Sequence, residues 1–394
     1  MNLESTPGGI CAAKGFRASG VSAGIKTSGG LDLAMVVSEV EASVAATFTT
    51  NLAAAAPVLL CRERLQKGSA KRGIVVNSGC ANACTGQRGL SDALEMVTAA
   101  EDEAGLSQGS MMVCSTGLIG SFLPMGKVKL ALPSLVGSLG LSDTTLAQAI
   151  MTTDTQPKRA SFVHEQGWSI GGIAKGAGMI APNMATMLSF ITTDAKVEAG
   201  VFQQLLSQAV TFSFNAITID GDTSTNDSVI ALANGASAIA PDPSDLQRAL
   251  DLVCKSLAEQ IALDGEGTTK LVTVKVRGAK SAIDADRAAR TVASSTLVKT
   301  ALYGQDPNWG RIAAALGRSG ADVDFEHLTI AIGGHEVLRS GIPGDAPVLA
   351  LAREQMHGSR FDIDCDLAVG DDRKEIVTTD LSQEYVRLNS EYET

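Results

Sequence analysis

The stretch Lys175-Gly-Ala-Gly-Met-Ile-Ala-Pro-Asn-Met-Ala-Thr-Met-Leu-Ser189 constrains this chain more than any other. Gly176, Gly178 and Pro182 exclude a continuous helix through it. The largely apolar run that follows, 187–191, reads as a buried strand. Thr186 therefore stands at the foot of a core strand, behind the small Ala185 and a flexible turn. That is how a chain presents a hydroxyl nucleophile.

A threonine hydroxyl is a weak nucleophile and needs a base. The chain has four histidines, His164, His327, His335 and His357, and none stands in a motif of the kind that builds a triad. The remaining route is a threonine whose own α-amine is the base, with a reference pKa of about 7.7–8.0. A mid-chain threonine has no free amine, so this reading requires the Ala185–Thr186 bond to be cut. It predicts two chains, 1–185 and 186–394. Spacing alone leaves a second reading open, that Thr186 is an ordinary half-buried strand threonine.

Composition narrows the function classes. A formal net charge of −11, with no Lys/Arg run, gives no cationic footprint for nucleic acid. No window reaches the ~18 uninterrupted apolar residues of a membrane span, so none is expected, and the start, with Glu4 and no long apolar stretch, is not expected to be a secretory signal. Seven widely spaced cysteines, an odd number, suit free thiols in a reducing cytoplasm. Cys80 and Cys84 form a C-x3-C pair with no second pair nearby, too few ligands for zinc, and no metal site is expected.

Along the chain, strand-like and helical patterns alternate in blocks, which predicts a layered α/β fold. Strands are expected at 34–40, 44–49, 58–61, 73–76, 168–174, 187–193, 271–276, 328–332 and 361–367. Helices are expected at 87–104, 142–151, 197–213, 243–261, 282–302 and 346–356, the first with Leu90, Leu94, Val97 and Ala100 on its apolar face.

Two motifs fail on inspection. Gly176-x-Gly178-x-x-Ala181 fits the dinucleotide fingerprint in form, but that fingerprint opens a helix and Pro182 stands against one. Asp220-Gly-Asp222-Thr-Ser-Thr-Asn226-Asp227 looks like a calcium loop, yet Thr225 and Ala231 occupy the positions that need Gly and Glu. A hydrogen-bonded polar turn near the active site is expected there instead. Ser115-Thr116-Gly117 ends an apolar run, and a hydroxyl beside an open glycine backbone supplies two donors at one point. That is the make-up of an oxyanion hole, and also of an ordinary strand-to-loop turn.

The pattern Lys175-Gly-x-Gly178-Met-Ile-x-Pro182-x-Met-Ala185-Thr186-Met-Leu188 resembles the self-cleavage motif of the ornithine acetyltransferase family, the glutamate N-acetyltransferases of arginine biosynthesis. Further segments resemble that family in order: Asn82-Ala-Cys-Thr-Gly86, Ser115-Thr-Gly-Leu-Ile-Gly120, Met151-Thr-Thr-Asp-Thr155, Asp264-Gly-Glu-Gly267, Asp306-Pro-Asn-Trp-Gly-Arg311 and Tyr385-Val-Arg-Leu-Asn-Ser-Glu-Tyr392. The resemblance spans nearly the whole chain, from about Gly8 to the last residue. It implies a layered α/β fold of stacked sheets and helices whose two cleaved chains stay intertwined. It also implies acetyl transfer from N2-acetylornithine to glutamate through acetyl-Thr186.

The resemblance selects Thr186 as nucleophile, Ala185–Thr186 as the cleaved bond, and Thr116 and Gly117 as oxyanion donors. Thr152, Lys175, Glu266, Asn389 and Thr394, together with Thr186, are carried over as substrate residues. A lysine suits an α-carboxylate, and Glu266 is complementary to the ornithine ammonium. The expected partners are N-acetylornithine, glutamate and a second copy of each cleaved chain. No metal or prosthetic group is expected, and acetyl-CoA as a further donor is left open. Water in place of glutamate would make the same chemistry an N-terminal-nucleophile amidohydrolase or aminopeptidase. Two residues depart from the family pattern, Cys80 where asparagine is typical and Glu393 where threonine is. Cys80 is expected in a loop.

Overall fold

The computed structural model describes residues 2–68, 70–181 and 187–391. Ala185, Thr186, Glu393 and Thr394, and with them the expected cleavage bond, lie outside the described residues.

In chain order the strands are β1 (Leu3–Ser5), β2 (Phe16–Val21), β3 (Leu33–Phe48), β4 (Ala70–Cys80), β5 (Met111–Leu118), β6 (Lys158–His164), β7 (Ser169–Lys175), β8 (Leu188–Thr193), β9 (Ile217–Thr218), β10 (Ser228–Ala233), β11 (Leu271–Ala279), β12 (Thr329–Ile332), β13 (His335–Arg339), β14 (Ile342–Pro343), β15 (Arg360–Asp366) and β16 (Asp372–Thr379). Among the described residues they form two mixed sheets, one in the order β1-β6-β7-β8-β10-β3-β4-β5 and the other β14-β13-β12-β15-β11-β16-β9. β3 is long enough to serve two neighbours on one edge. Its first half pairs with β2 and its second half with β10, while β4 runs along the other edge.

The first sheet is composite. β8 and β10, which follow residue 186, lie between β7 and β3, which precede it. β7 pairs antiparallel with β8 from Ile170↔Thr193 to Lys175↔Leu188, and β10 pairs with β3 from Ser228↔Phe48 to Ala233↔Ser43. A break of the chain near residue 186 would thus leave both pieces hydrogen-bonded into one sheet.

β8 and β10 are buried on both faces because both faces are covered. Leu188, Phe190, Ile230 and Leu232 turn into one core, and Ile191, Val229 and Ala231 into another. The helices are α1 (Ala56–Gln66), α2 (Gly86–Glu103), α3 (Met125–Gly137), α4 (Thr144–Ala149), α5 (Ala199–Thr211), α6 (Pro243–Leu263), α7 (Ala282–Ala293), α8 (Thr296–Tyr303), α9 (Trp309–Gly317), α10 (Ala346–Met356) and α11 (Gln383–Glu391). α5 and α6 close the second face, with Phe202, Leu206, Val253 and Leu257 buried there. Asp242 starts α6 by accepting from Ser244 N at 2.8 Å, with Pro243 in the first turn. A third core joins the second sheet to α7–α10.

The layered α/β fold expected from the sequence is the one observed, with local differences. Residues 58–61 are helical, inside α1, and not a strand. A short apolar run fits either period, and Pro57 in the first turn decides for helix. Residues 282–302 form two helices, because the Ser295 hydroxyl accepts from Val298 N and starts α8. The strands expected at 34–40 and 44–49 are one, β3, with a register shift between Val37 and Ala42. In α2 the buried face runs through Ala93, Met96, Val97 and Ala100, and Leu94 is exposed. Cys80 is the last residue of β4, not a loop residue; its thiol donates to Ser121 O at 3.3 Å.

Candidate active site

The strand ends of the first sheet open on a cavity of about 460 Å³. Thr116 and Gly117 reach it from the end of β5, and Lys175 from the end of β7. Thr152 and Thr153 come from the loop after α4, Glu266 from the loop after α6, and Tyr385 and Asn389 from α11. Asp220 and residues 222–226 form another wall, with Asn51 and Ala81 beside them. The polar turn expected at 220–227 thus stands at this cavity. Every expected substrate or oxyanion residue within the described part lines it: Thr116, Gly117, Thr152, Lys175, Glu266 and Asn389. Thr186 and Thr394 lie outside the described residues. No histidine is among the lining residues. His164 is buried elsewhere, stacked on Trp168 with ring centroids 4.9 Å apart.

Thr116 and Gly117, at the end of β5, are placed by a bulge. β4 and β5 run parallel, and their register breaks between Gly79 and Cys80. Gly117 has φ +128°, and a Cβ there would stand 2.5 Å from Gly79 C and 2.6 Å from Cys80 N. Only glycine fits that approach of two backbones. Asn226 Nδ2 ties the region together by donating to Ala81 O at 2.7 Å and to Ser115 O at 2.8 Å.

Lys175 is buried, and its ammonium donates to Thr116 Oγ1 at 3.3 Å. Burial lowers the pKa of that ammonium. Asp154 opposes the change most, Lys158 adds to it, and Asp227 and Glu266 oppose it. Asp154 and Lys158 are fully buried and 2.6 Å apart, and Lys158 reaches Asp264 at 2.6 Å on its other side. Asp154 also accepts from Gly176 N at 2.6 Å and Thr152 N at 2.9 Å. Burial alone would raise the Asp154 carboxyl, but Lys175, Lys158 and the Gly176 N–H outweigh it and hold the pKa at about 2.

Glu266 is half-buried. Its carboxylate accepts from Asn389 Nδ2 at 2.8 Å, and its N–H donates to Ala177 O at 2.9 Å. A Cβ on Gly178 would lie 2.6 Å from the Glu266 carboxyl group, so the glycine is what lets the carboxylate lie over that backbone. A second cavity of about 390 Å³ shares Thr153, Glu266 and Asn389 with the first. Opposite, Asp220 accepts from Met179 N at 2.6 Å and Ile180 N at 2.9 Å, and burial pushes its carboxyl up to about 6. Asp227 is buried just ahead of β10 and accepts from Met187 N at 2.9 Å. Desolvation pushes its carboxyl well above the usual range.

The sequence does not single out Asp154, Lys158 or Asn51, and it names Asp227 and Tyr385 only within their motifs. Asp154 lies within the Met151–Thr155 motif, for which the resemblance points to Thr152 alone. Nothing in the sequence separates the buried Lys158 from the partly exposed Arg159 beside it.

Fold and cavity together place the chain among layered α/β enzymes. The ArgJ family model matches residues 17–394. The arginine biosynthesis bifunctional protein ArgJ of Geobacter sulfurreducens is 47% identical over 391 residues, covering 97% of this chain and 99% of its own. The protein of the same name from Thermosynechococcus vestitus is 46% identical over 415 residues, covering 99% of each. The crystal structure of the arginine biosynthesis bifunctional protein argJ from Bacillus halodurans superposes with a TM-score of 0.50 at 42% identity, covering 52% of this chain and 100% of that one. The chain belongs to the ArgJ family.

Proposed function

We propose that this protein is a self-processing acetyltransferase of arginine biosynthesis, which moves an acetyl group from N2-acetylornithine to glutamate. The observation that carries the reading is the convergence of Thr116, Gly117, Lys175, Glu266, Thr152 and Asn389 on one cavity, in a chain of the ArgJ family.

The Thr186 hydroxyl first attacks the Ala185 carbonyl, and the N-to-O acyl shift gives an ester that water hydrolyses. The products are the chain 1–185 with a new carboxylate and the chain 186–394 with a free α-amine. The composite first sheet supports their staying together, because β8 and β10 lie between β7 and β3. The hydroxyl, its proton taken by the α-amine, then attacks the acetyl carbonyl. Thr116 and Gly117 hold the oxyanion, and the proton passes to the departing ornithine nitrogen. Glutamate's amine attacks acetyl-Thr186 and leaves as N-acetylglutamate. Lys175 and Thr152 bind substrate polar groups, Glu266 and Asn389 bind the ornithine end, and Thr394 completes the pocket. No metal or prosthetic group enters any step. Two copies of each chain assemble in the cytoplasm. No helix among the described residues is long and apolar enough to cross a membrane.

The test is to supply N-acetylornithine with and without glutamate. N-acetylglutamate formed only with glutamate, with parallel-line ping-pong kinetics, is the expected result. Free acetate released at the same rate either way identifies a hydrolase and overturns the reading. The same assay with acetyl-CoA as donor reads whether the site takes a second acetyl source.

A further inference from the structure

Thr116 and Lys175 are not independent members of the site. A lysine ammonium has donors only, so in their 3.3 Å contact the Thr116 oxygen must be the acceptor. The hydroxyl proton of Thr116 is then free to point elsewhere, which is what an oxyanion donor needs. Without its extra proton the Lys175 amine gains a lone pair that can accept the Thr116 hydroxyl proton and withdraw it from the oxyanion; burial works against the lysine keeping that proton.

What holds Lys175 is a buried cluster. One carboxylate, Asp154, accepts from the Thr152 N–H on one cavity wall and from the Gly176 N–H, the residue after Lys175, on another. Lys158 clamps that carboxylate from below and ties it to Asp264, which ends α6 just ahead of Glu266. We propose that Asp154 is a positioning residue for the oxyanion side of the site: fixed by Lys158, it joins the Thr152 and Gly176 backbones and supplies the negative charge that keeps the Lys175 ammonium on the Thr116 hydroxyl.

The other charged groups facing Lys175 do not replace Asp154. Glu266 is half-exposed and engaged by Asn389. Asp227 is displaced toward the neutral acid by burial. Lys158 and Lys26 carry the same sign as Lys175 and oppose its charge. Asp154 makes the largest favourable contribution. The inference rests on the reading of Thr116 as an oxyanion donor.

Asp154→Asn is the test, with the pH profile of kcat as the readout. Loss of a nearby opposite charge moves a pKa by about 1–3 units. The alkaline limb of kcat should therefore shift to lower pH by about one pH unit or more. Asp264→Asn also takes one carboxylate from Lys158, but leaves the Thr152 and Gly176 contacts and the charge beside Lys175. Its limb should stay at the parent position. Lys175→Arg should lose the limb altogether, because a guanidinium keeps its proton. Where a variant is slow to process, the rate of chain splitting carries the same limb, since both reactions place an oxyanion on Thr116. A uniform loss of rate in Asp154→Asn with the limb unmoved overturns the proposal. So does an equal shift in Asp264→Asn, or an alkaline limb that persists in Lys175→Arg. Thr116→Ala separates the two levels. An unchanged kcat there removes the oxyanion reading itself, whereas a reduced kcat with an unmoved limb in Asp154→Asn removes only the role of Asp154.

Discussion

Gly178→Ala is a small change with a large consequence for substrate binding. The new methyl carbon would stand 2.6 Å from the carboxyl carbon and both oxygens of Glu266, where ordinary contacts begin at 3.4 Å. The carboxylate must retreat by roughly 1 Å, the amount a van der Waals contact requires. That displacement weakens its hydrogen bond from Asn389, now 2.8 Å. Because Glu266 and Asn389 are partly exposed, the loss is placed at the low end for a bond to a charged group, about 1–2 kcal/mol. That corresponds to a rise of roughly 5- to 30-fold in KM for N-acetylornithine. Chain splitting needs no ornithine, so a change in its rate reports the turn ahead of Thr186 and not the ornithine end. Steady-state kinetics with N-acetylornithine varied at saturating glutamate reads the first effect, and a time course on a denaturing gel reads the second. An unchanged KM, or a loss confined to kcat, refutes the assignment of Glu266 to the ornithine end.

Three further outcomes follow from the same geometry. Thr116→Ala should lower kcat by about 10²–10³-fold, the usual cost of one oxyanion donor, while the far-ultraviolet circular dichroism is retained; turnover at the parent rate contradicts it. Lys158→Met leaves the Asp154 and Asp264 carboxylates buried without their ammonium, and should cost about 3–5 kcal/mol in urea unfolding; a parent-like midpoint contradicts it. The folded-state pKa of Asp220 is raised to about 6 from 3.8, so the folded chain holds this proton more tightly than the unfolded one. Its contribution to stability is full below the unfolded value and is lost as pH rises through the folded one. Asp220→Asn should therefore flatten the fall of Tm with pH between about 4 and 7, and an unaltered slope contradicts it.

Long periodic segments were legible in the sequence. α10 and α6 stand where their patterns place them, and the strand-turn-strand around Lys175 appears as β7 and β8. The residues carried by motifs, Thr116, Gly117, Thr152, Lys175, Glu266 and Asn389, come to one cavity although they lie far apart in the chain. What was not legible depends on tertiary environment. Residues 58–61 are apolar in either state, and the one local sign for helix is Pro57 in the first turn of α1. β6, in which Lys158 is buried, shows no clean alternation, because one of its inward side chains is a charge paired inside the fold. The Asp220–Asp227 segment read as a polar turn, but that Asp220 binds the Met179 and Ile180 amides is a contact across 40 residues or more. The composite first sheet, likewise, is a matter of topology that no local pattern encodes.

The most direct measurement is the intact mass of the purified protein before and after N-acetylornithine is added without glutamate. The expected spectrum holds two chains, 1–185 and 186–394, with one acetyl group gained by the second on exposure to donor and lost again when glutamate is supplied. A single chain of 394 residues that transfers acetyl groups at full rate contradicts the central claim, as does an acetyl group found on any residue other than Thr186.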